Sequence, residues 1–216
     1  MENLFLNSND IEKMEKRFRT NFFNSVWGFK AANLVGTINK HNQSNLATIS
    51  SAFHLGANPA LVGIVIRPDS VDRHTFENIL ETNQFTLNNI LKSFYKNAHQ
   101  TSARYPREVS EFNATRLTQE FTTTIVAPYV KQSSIKIGLS LQEVLPVKSN
   151  GCTILVGKVE EVVVVKNAIL NDGFVDLEKA GSITISGLDS YHETTKIARL
   201  SYAKPDKPVE EIGYGK

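Results

Sequence analysis

The chain of 216 residues has one cysteine, Cys152, which excludes an intramolecular disulfide and any cysteine-based metal cluster. Net charge is equally scarce: 24 Lys and Arg stand against 22 Asp and Glu, a formal balance of +2. That balance gives no electrostatic case for a nucleic acid or an anionic membrane, and it leaves room for a local phosphate site. No apolar run approaches the roughly 20 residues that a bilayer-spanning helix needs. The opening stretch, 1–18, mixes acidic and basic side chains and has no signal-peptide core, so a cytoplasmic location is expected. The five histidines show no compact ligand spacing, so no metal is expected. No pair of carboxylates is arranged for hydrolysis. The turn before residue 45 lacks the GxGxxG of a dinucleotide-binding crossover.

What is present suits one substantial domain with a real core: 41% of residues are hydrophobic and 21% charged. Ile11, Met14 and Phe18 recur at helical spacing, and Asn9 with Glu12 can form a capping pair. These features predict a docking helix over 10–27, ending near Gly28. Beyond it, β-rich segments are expected at 30–38, 45–53 and 61–67, with the Asn-rich stretch 39–45 as a hairpin connection. Residues 74–82 read as a helix with Phe76, Ile79 and Leu80 on one side. Residues 84–88 return to strand, and a further helix is expected through 89–100. The long β-branched segments at 133–147 and 152–165 predict antiparallel neighbours. The fold class is mainly β with peripheral helices, a closed or partly closed antiparallel barrel.

The segment 45–53, NLATISSAF, is unusual for a buried strand. Alternation puts Asn45, Ala47, Ile49 and Ser51 on one face and Leu46, Thr48 and Ser50 on the other, so hydroxyls fall on both sides. A bulge would be needed to aim Ser50 and Ser51 at one ligand. Two readings are open: the hydroxyls bond to local backbone, or a ligand runs along the strand. The stretch 67–79 bears on the choice. Thr75 is a candidate N-cap, with Arg73 just before it and Arg67 closing the preceding strand. A helix start with one or two guanidiniums suits a single phosphate monoester. Asn78 stands one turn beyond the cap.

Together these segments resemble the flavin reductase-like family. The likeness runs from FKAANLVGT (29–37) through SNLATISSAFHLGANPALVGIVIRP, DRHTFENILETNQFTLN and YPREVSEF to GLDSYH, within 29–203. It implies an FMN-binding split β-barrel over 29–203, with 1–28 as an N-terminal helical extension and 204–216 as a tail. It also implies that flavin and phosphate contacts come from Asn45, Leu46, Ala47, Thr48, Ile49, Ser50 and Ser51, and from Thr75, Asn78 and Ile79 at the helix start. Arg67 and Arg73 are phosphate partners on this reading. The glycine-bearing hairpin common in the family is replaced here by NKHNQSN.

The activity implied is that of an NAD(P)H-dependent flavin reductase, in which NADH or NADPH gives hydride to flavin and a flavin or a protein accepts the electrons. The alternative is a non-catalytic FMN-binding or electron-transfer module reduced by a protein partner. Family members are commonly homodimers. Tyr191 could cover a flavin edge or simply pack. His99 and His192 could orient a nicotinamide or serve as ordinary structural residues. Glu111 reads as structural, and no catalytic acid or base is identified.

Overall fold

The computed structural model describes residues 2–68 and 73–213. The N-terminal segment forms two helices where one was expected: α1 (Ser8–Lys13) and α2 (Lys16–Ser25). The capping pair is Asn7 with Asp10, not Asn9 with Glu12. The Asn7 side chain accepts from the amides of Asn9 and Asp10, and the Asp10 carboxylate accepts from the Asn7 amide. A second cap breaks the helix, because the Glu15 carboxylate accepts the Phe18 amide at 2.9 Å and starts α2 anew. Neither helix buries a residue fully, so the predicted docking helix adds nothing to the main core.

The strands are β1 (Lys30–Ala31), β2 (Asn33–Ile38), β3 (Ser44–Ile49), β4 (Phe53–Ala57) and β5 (Ala60–Ile66), then, after helix α3 (His74–Thr82), β6 (Gln84–Asn89). Helices α4 (Tyr95–Gln100) and α5 (Glu111–Thr115) follow, then β7 (Gln119–Glu120), β8 (Tyr129–Val130), β9 (Ile135–Val147) and β10 (Cys152–Val164). Short strands β11 (Thr184–Ser186) and β12 (Ser190–His192) complete a small sheet with β1. The main sheet has seven strands in the order β3-β2-β6-β9-β10-β5-β4, antiparallel throughout. The expected pairing of the two long C-terminal strands is present as β9 with β10, shifting register at Val156/Gly157 and at Val159/Glu161. A side chain on Gly157 would collide with the Phe85 ring, so the glycine gives that ring its place.

Period-two alternation divides the core between the two faces of the sheet. Leu34 and Leu46 pack outward with Phe94, Phe112 and Ile185. Val35, Ile64, Ile79, Phe85, Leu139 and Leu155 fill the barrel interior. Full burial of a side chain such as Phe85 is worth about 1.5–3 kcal/mol, and sheets covered on both faces read as nearly continuous apolar runs. Among the described residues, no helix is long and apolar enough to cross a membrane.

Two further expectations about the elements need correction. The helix expected through 89–100 begins only at Tyr95. The Asn89 side chain is held by the amides of Ser134 and Ile135, and the backbone of Ile90 is spent on Ala32 and Ile183. Extended pairing therefore takes the residues that periodicity alone would give to a helix. The strand expected over 45–53 ends at Ile49, bends at Ser50 and resumes at Phe53 as β4. The terminal strands of the sheet are β3 and β4, consecutive in the chain yet not paired with each other. The barrel is split at that seam.

Candidate functional site at the barrel seam

Phe53 pairs with Gly63, so Ser51 stands opposite Val65 where the ladder would continue. The Ser51 hydroxyl takes the place of a backbone pair there, donating to the Val65 carbonyl at 3.0 Å and accepting from its amide at 3.3 Å. Beside this closure lie two cavities that share Ala47, Thr48, Arg67, Arg73, Thr75 and Ser102 as lining. The first, of about 790 Å³, is also lined by Ile49, Ser50 and Ser51, by Val65 and Ile66, and by Asn150 and Cys152. Phe23, Asn24, Trp27, Lys30, Ile185 and Leu188 complete its wall. The second, of about 1090 Å³, is lined by Asn45, His74 and the segment 101–108.

Of the residues singled out from the sequence, the structure brings together Asn45, Ala47, Thr48, Ile49, Ser50, Ser51, Arg67, Arg73 and Thr75 around these cavities. Asn45 donates from its amide to the Thr75 hydroxyl at 2.9 Å, tying β3 to the first turn of α3. Thr75 is not the N-cap. That position is Arg73, and no side chain caps the helix, which leaves the amides of its first turn suited to an anion. The Arg73 guanidinium donates to the Pro68 carbonyl at 3.1 Å; Asp69–Asp72, between them, lie outside the described residues. The Thr48 hydroxyl is 2.5 Å from the Ala98 carbonyl and 2.9 Å from the Thr101 hydroxyl, so Thr48 faces the cavities with its backbone.

Four of the candidate cofactor contacts line neither cavity, and nor do His99, His192 and Glu111. Leu46 alternates to the opposite face of β3, where it is fully buried, and its amide is bound by the Glu111 carboxylate at 2.9 Å. Asn78 and Ile79 face inward from α3: Asn78 donates to the Thr37 hydroxyl at 3.1 Å and Ile79 fills the barrel core. Tyr191 lies on β12, its hydroxyl 3.0 Å from His99 Nδ1 and its ring 5.5 Å from that of Tyr95. Burial, with Asp189 nearby, raises the Tyr191 pKa. His192 is taken by two serines, with Nε2 2.8 Å from the Ser186 hydroxyl and 3.2 Å from that of Ser190.

Sequence reasoning missed the wall contributed by α2 and by residues 185–188. The one signal was the aromatic side chains, Phe18, Phe22, Phe23 and Trp27, in and just after the segment read as a docking helix. Lys30 was missed as well. Its ammonium donates to the carbonyls of Asn24 and Gly187 at 2.9 and 3.0 Å. Burial, and then the charge of Arg67, hold its pKa below the usual lysine range. The site thus combines an apolar, aromatic side with a cationic end, which suits a ligand carrying a planar ring and a phosphate.

A family model described as flavin reductase like domain matches residues 30–177. A split-barrel protein from Shewanella frigidimarina NCIMB 400, described as a candidate flavin reductase, is 45% identical, with a TM-score of 0.89 over 93% of this chain and 100% of that one. Nitrilotriacetate monooxygenase component B from Bacillus cereus shares the fold at 21% identity, with a TM-score of 0.82 over 93% of this chain and 100% of its own. An uncharacterized protein of Aquifex aeolicus is 27% identical over 143 residues, 63% of this chain and 72% of that protein. Helix α2 and Leu188, which help to wall the first cavity, lie outside the family match.

Proposed function

The chain belongs to the flavin reductase-like family, by that membership it is an FMN-binding oxidoreductase, and we propose that it reduces flavin with electrons from NADH or NADPH. The observation that carries the reading is the cavity at the seam, whose size falls in the range of small-molecule sites. Its residues fit the cofactor. Arg67, Arg73, Ser50, Thr75 and the first turn of α3 would hold the phosphate, by charge-assisted hydrogen bonds and the helix N-terminus. The backbone of 47–50, with Val65, Ile66, Ile185 and Trp27, would hold the ring and exclude water from it. FMN would supply the two-electron redox chemistry there, and the chain supplies position and electrostatics. No side-chain acid or base needs to act, in keeping with the hydrogen bonds that already occupy His192 and Tyr191.

We extend the reading to assembly as a twofold homodimer, which closes without polymerising. Large apolar side chains left exposed, among them Phe18, Ile197 and Tyr202, support a partner surface. A monomer in sedimentation with FMN bound would count against it. The deciding experiment for function is anaerobic mixing of the FMN-loaded protein with NADH or NADPH. Direct bleaching of the flavin is expected. Folded protein that binds no FMN would remove the reading altogether, and flavin reduced only by a partner protein would make the chain an electron-transfer module.

A further inference from the structure

The second cavity is more cationic than a single flavin phosphate requires. Arg67 and Arg73 stand on the wall common to both cavities, whereas Arg104 and Arg107 line only the second. Between them is Tyr105, half-buried, its hydroxyl accepting from the Gln100 side chain at 3.1 Å. Consecutive turns hold the segment in place: the Ser102 amide donates to His99, that of Ala103 to Gln100 and that of Val109 to Pro106. Among the described residues the acids nearby are few. Glu108 lines the same cavity, and Glu77 of α3 pairs with Arg107. Among the described residues no carboxylate pairs with Arg67, Arg73 or Arg104.

An aromatic ring flanked by two guanidiniums matches a purine that carries its own phosphate. The ring offers a face for stacking. A guanidinium offers paired donors to a phosphomonoester. Resting on the flavin-reductase reading, we propose that the lobe formed by Arg104, Tyr105 and Arg107 binds the 2′-phosphoadenosine end of the electron donor, so that the protein takes NADPH in preference to NADH. The two donors differ by that one phosphate, so the discrimination falls on groups that touch it. Arg107 exchanges an exposed carboxylate, Glu77, for the phosphate, and Arg104 gains a partner.

The test is calorimetric titration of FMN-saturated protein with adenosine 2′,5′-bisphosphate and, separately, with AMP, which lacks only the 2′-phosphate, repeated for Arg104→Gln, Arg107→Gln and the double variant. The bisphosphate is expected to bind the unaltered protein at least about tenfold more tightly, the effect of one or two charge-assisted hydrogen bonds. The double variant is expected to lose that preference while its FMN affinity stays unchanged. Equal affinity for the two nucleotides, or no binding of either to protein that holds FMN, overturns the proposal. A fall in FMN affinity in the arginine variants also overturns it, since the lobe would then serve the flavin phosphate. Should the protein hold no FMN, the flavin reading fails, and the same two titrations on flavin-free protein still decide whether the lobe selects the additional phosphate.

Discussion

The Ser51 hydroxyl satisfies both backbone groups of Val65, donating to the carbonyl at 3.0 Å and accepting from the amide at 3.3 Å. A side chain thereby continues the β4–β5 ladder past the end of β4, at the place where the barrel opens. Ser50, its neighbour, makes no side-chain hydrogen bond among the described residues and lines the first cavity. Two adjacent serines therefore have different work: one closes the wall, and the other is available to a ligand.

Ser51→Ala is expected to cost about 1–2 kcal/mol of stability and to lower the melting temperature by roughly 2–8 °C. Ser50→Ala should leave stability within about 0.5 kcal/mol. It should weaken FMN by about fivefold or more and riboflavin, which has no phosphate, much less. Thermal unfolding with paired FMN and riboflavin titrations separates the two roles. Equal losses for both ligands in Ser50→Ala would exclude a phosphate contact.

Trp27 is the chain's single tryptophan, lies 75% exposed and lines the first cavity. Titrating FMN should quench its fluorescence in step with the change in the flavin spectrum. Trp27→Leu should weaken FMN by up to about tenfold, the worth of one aromatic stack, without changing the unfolding temperature. Unchanged indole emission on saturation with FMN would place the flavin elsewhere.

Glu111 is buried at the outer edge of β3, and burial pushes its carboxyl above the ordinary 4.5, against the pull of the Leu46 amide. A carboxyl with a raised folded pKa binds its proton more tightly in the native state. Its contribution is therefore most favourable in acid, below the unfolded pKa, and is lost as pH rises through the folded value. Glu111→Gln keeps an acceptor for Leu46 and should match or exceed the parent's stability at neutral pH, the gain shrinking as pH falls toward the ordinary carboxylate range. Glu111→Leu, which orphans the Leu46 amide, should cost about 1–3 kcal/mol. Urea unfolding across a pH series checks both; a Glu111→Gln deficit that grows from acid to neutral pH would contradict this account.

Gly36 lies on β2 where an added methyl would collide with the Pro128 carbonyl and the Thr86 hydroxyl, themselves hydrogen-bonded at 2.7 Å. Gly36→Ala should therefore destabilise by about 1–3 kcal/mol. Gly56→Ala, whose methyl would come no closer than 3.4 Å to the Pro59 carbonyl, is the tolerant comparison. Equal midpoints in urea unfolding would reject the close approach at Gly36.

Periodicity along the chain was enough for the helix at 74–82, the strand after it and the antiparallel pair that became β9 and β10, because these depend on residues within a few positions of one another. The row from Asn45 to Ser51 was legible for the same reason, as polar groups threaded through an otherwise apolar strand. Tertiary contacts decided the rest. Ser51 faces Val65 because the β4–β5 register, carried two residues before Phe53, sets it opposite that residue. The helix expected from 89 is cut short by an Asn89 side chain bound to residues 45 and 46 positions away. Leu46, Asn78, Ile79 and Tyr191 were expected at the ligand, but alternation, helix phase and the placement of β12 turn them away from the cavities. Phe23, Trp27, Cys152 and Leu188 meet around one cavity from distant parts of the chain. Local patterning reports which face of an element is apolar; long-range register decides which faces come together, and here that register built the cavity wall.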